Sequence, residues 1–332
     1  MLRFHKPSPE KEGLFILEYS SMIWTLSDSQ HGEDMKTHIS RMSILIATAL
    51  IIACIPAKAE ALVCNGSSAL CDRRYDEAVF AGAHNAMSSA EAGWILPNHY
   101  VGIEKQLDFG VRALNLDIYV YSGEVYMCHS DCAFGRRPLK DALSAVKRFM
   151  ENNKGEIITI NFQDETRGEM DVASVFEEAG LSEYASEHKR GESWPTLHEM
   201  IDSGKRLVVF GNSGYSRAPW FLVESEHAWA SPYYAETIKQ FECGNAVEDR
   251  QVYILSHFLT APYAMPPLAA KANKKDIIVG RAARCWKETG RRPNIILFDF
   301  ATVGDVVEAV SMLNEMRDPS DRRPISRQET RE

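Results

Sequence analysis

The chain has 332 residues, 45% of them hydrophobic and 25% charged, with a formal net charge of −9. That length buries a sizeable core in one large domain or two small ones. Residues 1–59 hold six Lys/Arg and six Asp/Glu, so removing them leaves the −9 unchanged, and an acidic body without basic blocks excludes nucleic acid as the main partner.

From the N-terminus, the first recognisable element starts at Met35, which opens the stretch MKTHISRMSILIATALIIACIPAKAEA. Lys36 and Arg41 form a basic start, Ser43–Ile55 is a 13-residue apolar run, and Ala57-Lys58-Ala59 is an A-x-A cleavage pattern. The run is too short for a comfortable membrane span, so 35–59 reads as a secretory signal peptide and 1–34 as an N-terminal extension. A lipoprotein anchor at Cys54, after Ile51-Ile52-Ala53, is the minor alternative. Either route puts the mature chain outside the cytoplasm, in the periplasm or secreted. The mature chain keeps six cysteines, Cys64, Cys71, Cys128, Cys132, Cys243 and Cys285. An even count in an exported protein points to disulfides. Cys64/Cys71 and Cys128/Cys132 are natural local pairs, leaving Cys243/Cys285. Zinc is the competing reading, but no C-x-x-C spacing supports it.

The body alternates apolar strand-like runs with amphipathic segments. The runs are Glu77–Ala83, Ala113–Tyr119, Glu124–His129, Glu156–Gln163, Arg206–Asn212, Val252–His257 and Ile295–Phe300. Leu139–Met150 is the clearest helix, with Leu139, Ala142, Leu143, Val146, Phe149 and Met150 at helical spacing. Thr302–Met316 is the last helix, and Asp305 suits the positive end of its dipole. Repeated strand–helix units imply a parallel sheet covered by helices, and seven or eight of them fit an α/β (β/α)8 TIM-type barrel over 60–316. Seven strands are clear; the eighth is either the short Glu226–Ala230 stretch or a place where the barrel is irregular. No G-x-G-x-x-G follows the first strand, against a dinucleotide site. The charged tail 317–332 reads as disordered.

Strand side chains alternate faces. Leu114, Leu116 and Ile118 form one face of the second run; Asn115 and Asp117 form the other. Ile158, Ile160 and Phe162 oppose Thr159, Asn161 and Gln163. Helices cover the outside of a barrel, so the apolar faces point out and His84, Asn115, Asp117, His129, Asn161 and Gln163 point in. They also sit near the carboxyl ends of their strands, where barrel enzymes do chemistry. Buried polar groups are costly without partners, and packing alone does not explain four successive strands offering them. Two histidines suit general base and general acid work near neutral pH. Asp117 with the oxygens of Asn85, Asn115 and Gln163 suits a hard cation. Base, acid and cation together suit attack on a phosphodiester.

The patterns AHNAM, IEKQLDFGVRALNLDIYV, VYMCHSDC and NNKGEIITINFQDE, in that order, resemble the X domain of phosphatidylinositol-specific phospholipase C. CNGSSALCDRRYDEAVFAGAHNAM, WPTLHEMIDSGKRLVVF and GRRPNIILFDF look like its secreted, cysteine-containing subgroup. The resemblance covers roughly Cys64–Met316. It implies that His84 is the general base, His129 the general acid, and Asn85, Asn115, Asp117 and Gln163 the ligands of a divalent cation, calcium with magnesium as the alternative. Metal-independent bacterial members carry an arginine where this chain has Asp117. The calcium enzymes carry glutamates where it has Asn115 and Gln163, so two formal charges are missing, and Asp164 or Glu165 would compensate only if their loop turned inward. Ser130 stands where the family usually has glycine, and none of the accessory lipid-binding modules of the large signalling phospholipases is recognised.

Asn212, His257 and Asp299 end later strands and are further substrate-binding candidates; His257 could instead cap the barrel, and Asp299 could orient His84. Trp94, Trp220 and Phe221 read as core or as a lipid-facing rim, and Asn65-Gly66-Ser67 is a glycosylation sequon. The resemblance implies a phosphoric diester hydrolase acting on a phospholipid or inositol-phosphate ester, transiently at a membrane surface; a monomer is the expected state. The alternatives are a glycerophosphodiesterase-like or sphingomyelinase D-like barrel, and a non-catalytic barrel that binds lipid headgroups.

Overall fold

The computed structural model describes residues 62–317. The expected extension, signal peptide and lipoprotein cysteine, and all but the first residue of the expected tail, lie outside the described residues. The parallel strands are β1 (Phe80–Ala83), β2 (Ala113–Tyr121), β5 (Ile158–Asp164), β6 (Leu207–Gly211), β7 (Phe221–Val223), β8 (Ala228–Ala230), β9 (Val252–Ser256) and β10 (Ile295–Phe298), with β3 (Glu124–Cys128) and β4 (Arg136–Pro138) off their path. The parallel strands wrap in the order β7-β6-β5-β2-β1-β10-β9-β8. Pairing of β1 with both β2 and β10 joins the two ends of the chain. The result is the expected TIM-type barrel, irregular in one pairing.

That irregularity has a local cause. A parallel return needs a crossover of roughly a dozen residues or more. Between β7 and β8 stands only the four-residue helix Glu224–His227. The chain cannot travel back far enough to lay β8 beside β7, and the barrel stays open there. The short stretch foreseen as the eighth strand is β8, while β7 was not foreseen; Trp220 and Phe221, with Trp94, are buried core residues.

The Glu124–His129 run is not a barrel strand. Its strand part, β3 (Glu124–Cys128), is antiparallel to the upper half of β2, with Ile118 opposite Met127 and Tyr121 opposite Glu124. β4 (Arg136–Pro138) pairs with it in turn. Ser122 and Gly123 have φ of +53° and +80°. Two such residues make the tight loop whose twist matches a hairpin. This excursion matters to the site, because it returns the chain to the barrel rim just before His129.

The period-two reading of the faces holds for β2 and for β5 as far as Phe162. Leu114, Leu116, Ile118, Ile160 and Phe162 pack outward with Leu139, Leu143 and Val146 of the helix Leu139–Asn152. Inside, Phe80, Ala113, Val208, Phe210, Ile254 and Leu297 fill the lower barrel above Tyr75 and Trp194. Gly82 points into this filling, where a Cβ would lie 2.7 Å from Leu297 Cδ2 and 3.2 Å from the Ile296 carbonyl oxygen, so any larger residue forces the Leu297 side chain to move. The last helix is Val306–Glu315, preceded by Asp305, whose carboxylate accepts from the backbone N–H of Lys275 instead of capping its own helix. The six cysteines form three disulfides, Cys64–Cys71, Cys128–Cys132 and Cys243–Cys285, which removes the zinc alternative. The sequon asparagine, Asn65, spends its side-chain amide on the Ile157 backbone, donating at 3.0 Å and accepting at 3.1 Å.

Candidate active site

β1 delivers His84 to the carboxyl-terminal rim, where its backbone N–H still follows the sheet, donating to Phe298 O at 3.0 Å. Its Nδ1 lies 2.9 Å from Asp299 Oδ1, one residue past β10. Asp299 is buried and also accepts from Asn98 Nδ2 at 2.8 Å. A carboxylate accepts only, so Nδ1 of His84 donates to it, and in the neutral tautomer of the ring Nε2 carries the lone pair. The ring stacks on Phe258 at 3.8 Å, 3° from parallel. Beneath it, His99 Nε2 donates to the His84 carbonyl at 2.7 Å, while His99 Nδ1 accepts from Ala301 N–H at 3.4 Å. Burial pushes His99 down to about 4, so it stays neutral.

The next residue, Asn85, is buried with φ of +48°, a turn that asparagine tolerates well. Its N–H donates to Asn115 Oδ1 at 3.2 Å, and its side-chain Nδ2 lies 3.2 Å from His129 Nε2. An amide nitrogen donates, so in this arrangement His129 accepts there and is neutral. His129 is half-buried. Its imidazole is driven down by burial first and by His84 second, with Asp299 opposing. Asn85 thus connects the two histidines.

β2 and β5 supply the floor. Their register sets Asn115 beside Asn161 and Asp117 beside Gln163. Asp117 is buried and pushed up to about 7, mainly by desolvation, with Glu165 adding and His84 opposing. Its Oδ1 and the Oδ1 of Asn161 are buried without hydrogen-bond partners. Orphaned oxygen acceptors beside a buried carboxylate are a donor set that a hard cation satisfies. Among the described residues no three His, Cys, Asp or Glu side chains could hold a metal together. A cation here would rest on one carboxylate and neutral oxygens: Asp117 and Asn161, with Asn115 and Asn85 beside them.

Three expected residues stand elsewhere. Gln163 is exposed, and its amide nitrogen donates to Glu165 at 3.3 Å, away from the buried oxygens. It lies one residue before the end of β5, where the strand clears the barrel. Asn212 is exposed and uses its side-chain oxygen to accept from Asp164 N–H at 2.7 Å, which ties β5 to β6. His257 is fully buried between Ala272 O, at 3.0 Å, and Arg281, at 3.3 Å, and is pushed down to about 3 by desolvation and that guanidinium. It caps the barrel and has no face open to substrate. Asp164 does not turn inward, since Thr166 and Ser213 occupy its oxygens. Glu165 is close enough to act on Asp117 by charge.

The structure also adds residues that the sequence reading did not single out. Asn98 and His99 lie in an irregular loop, where no periodicity marks them. Glu224, directly after β7, makes a side-chain hydrogen bond with Asn161 and is pushed up chiefly by burial. It brings a second carboxylate to the interior from the open side of the barrel. Its only sequence signal is its place one residue past a three-residue strand.

Fold and site together define a TIM-type barrel with two histidines and a buried carboxylate at its carboxyl-terminal rim. The family model described as PI-PLC X 1 matches residues 70–314, and the chain belongs to that family. PI-PLC X domain-containing protein 1 of Arthroderma benhamiae is 30% identical over 308 residues, covering 83% of this chain and 97% of that protein. An uncharacterized secreted protein of the same fungus is 25% identical, covering 73% of this chain and 61% of its own length. A PI-PLC X domain-containing protein of Arabidopsis thaliana is 27% identical, with 71% and 61% covered. The chain therefore spans about three-fifths of each of the last two. Among solved structures, phosphatidylinositol-specific phospholipase C of Staphylococcus aureus shares the fold with a TM-score of 0.53 at 14% identity, over 74% of this chain and 95% of that one.

Proposed function

We propose that the protein is an exported phosphodiesterase that cleaves an inositol phospholipid or a related inositol-phosphate ester. The observation that carries this reading is the polarity of the two imidazoles. His84 is fixed as a base by Asp299, and His129 stands across Asn85 from it. His84 Nε2 takes the proton from the inositol 2-hydroxyl. The freed oxygen attacks phosphorus, the bond from phosphorus to the lipid alcohol breaks, and His129 returns a proton to that alcohol. The first product is a cyclic inositol phosphate. A half-turn of the Asn85 amide presents Oδ1 in place of Nδ2 and holds the protonated His129. The anionic phosphodiester offsets the burial that otherwise keeps that ring neutral.

A divalent cation, calcium or magnesium, fits the orphaned oxygens of Asp117 and Asn161, and when bound it would offset charge on the phosphoryl oxygens. Neutral oxygens in place of carboxylates weaken the hold on it. Exposed apolar side chains on loops around the mouth, among them Ile95, Leu96, Phe134, Tyr215, Tyr233 and Tyr263, suit transient contact with a lipid surface. The disulfides agree with export.

The deciding experiment is turnover of phosphatidylinositol vesicles by the mature chain, with and without chelator, beside His84→Ala and His129→Ala. Phosphorus NMR of the product separates a cyclic phosphate from the direct hydrolysis expected of a glycerophosphodiesterase-like barrel. Unchanged activity in both variants would overturn the histidine roles. Full activity in chelator would overturn the cation.

A further inference from the structure

We infer that the Cys128–Cys132 disulfide is the positioning device for His129, so that the oxidation state of this one bond sets the activity of the site. The inference rests on the reading of His129 as general acid. His129 is the first residue after β3, and the two cysteines flank it, four positions apart. Cys128 is fully buried at the end of β3, opposite Arg136 of β4. Cys132 is half-exposed in the connecting loop. The bond therefore closes a five-residue ring that contains His129, Ser130 and Asp131. Ser130 holds φ of +62°, and Asp131 N–H donates to His129 O at 2.8 Å. Opening the ring frees a segment whose backbone is held in a sparsely populated conformation.

Little else holds the imidazole. Among the described residues its ring makes one hydrogen bond, to Asn85 Nδ2 at 3.2 Å. The β3–β4 loop rejoins the body at the backbone pair Ile95 N–H to Phe134 O, 2.7 Å, on its far side. The other two disulfides lie away from the site: Cys64–Cys71 in the lower core and Cys243–Cys285 among the outer helices.

Chemically, a dithiol reductant opens the ring in two steps. One of its thiolates attacks the accessible sulfur of Cys132, forming a mixed disulfide and releasing Cys128 as the thiolate, which takes up a proton. The second thiol of the reductant then displaces Cys132, leaving two cysteine thiols and an oxidised, cyclic reductant.

The test compares the oxidised protein with Cys128→Ser/Cys132→Ser. It reads thermal midpoint, kcat and KM on phosphatidylinositol vesicles, and the rate at which diethyl pyrocarbonate modifies His129, followed by peptide mass mapping. The expected result is a folded variant whose kcat falls roughly tenfold to a hundredfold with KM within about twofold, and whose His129 reacts several times faster. Unchanged kcat overturns the inference, as does a fall in kcat with unchanged His129 reactivity. If the oxidised protein turns over no phosphodiester while the variant still exposes His129, the proposed function fails and the positioning role stands. If the variant does not fold, brief reduction of the native protein replaces it. Alkylation mapping then shows whether His129 reactivity rises with opening of Cys128–Cys132, as expected, or with another bond, which overturns the inference.

Discussion

The two histidines of the site are held in opposite ways. His84 belongs to the barrel: its N–H continues the sheet, Asp299, itself held by Asn98, fixes its ring at Nδ1, Phe258 stacks on it, and His99 holds its carbonyl. His129 hangs from an excursion off the barrel, with one ring hydrogen bond and a cross-linked backbone. On the proposed mechanism His84 is the base, and a base built into a sheet is preorganised by the same contacts that fold the protein. A group on a hairpin lies outside those contacts, and here a cross-link four positions long closes the backbone around it.

The largest expected effect separates the two roles by chemistry. His84→Ala lowers kcat by about 10²–10⁴ on any phosphodiester, whereas His129→Ala shows a loss of that size only when the leaving alcohol needs a proton. With a nitrophenyl leaving group, His129→Ala recovers most of its rate and His84→Ala does not; equal losses on both substrates would merge the two roles. Next, Asp299→Asn frees the His84 ring to take the other tautomer and costs roughly a hundredfold in kcat, with KM nearly unchanged in steady-state assays. Asn85→Ala loosens only the His129 side and costs roughly tenfold, again read as kcat on vesicles. If Asn85→Ala exceeded Asp299→Asn, the base side would be the weaker one.

A smaller effect falls on stability. His257 is buried with its pKa pushed down to about 3, below the ordinary value of 6.5 for an unfolded histidine. A group with a depressed folded pKa contributes stability that is fully present above the unfolded value and lost as pH falls toward the folded one. Thermal midpoints of the native protein therefore decline from about pH 6.5 downward. His257→Gln, which keeps a donor for Ala272 O, declines less; parallel curves would remove His257 as a source of acid sensitivity. Smallest of all is Asn212→Ala, whose side chain ties β6 to β5 outside the mouth: kcat and KM stay within about twofold.

Much of this was legible in the sequence, for reasons that also explain the gaps. Long apolar runs marked β1, β2, β5, β6, β9 and β10, and the period-two pattern placed Asn115, Asp117 and Asn161 on the inner face. β7 was invisible because three residues carry no period. The β3 run alternates properly, but alternation does not distinguish a barrel strand from a hairpin partner; Ser122-Gly123 was the readable signal. Gln163 has the right parity yet sits where β5 clears the barrel, so parity no longer implies burial. His257 follows the strand-end rule and still ends in the core, because Ala272 and Arg281 close over it. Asn98, His99 and Glu224 lie in a loop and a four-residue helix, where only tertiary structure brings them to the site.

The clamp between Asn65 and Ile157 bears on how the chain is made. The two residues are 92 positions apart, so Ile157 has not yet been synthesised when Asn65 first emerges from a ribosome. In a eukaryotic secretory host the glycosyltransferase meets the sequon before its structural partner exists. A glycan attached then replaces one of the two hydrogens on the amide nitrogen that grips Ile157, so the clamp must form with the sugar beside it. The order of synthesis lets the sugar arrive first, whereas without that enzyme the clamp forms on the bare side chain.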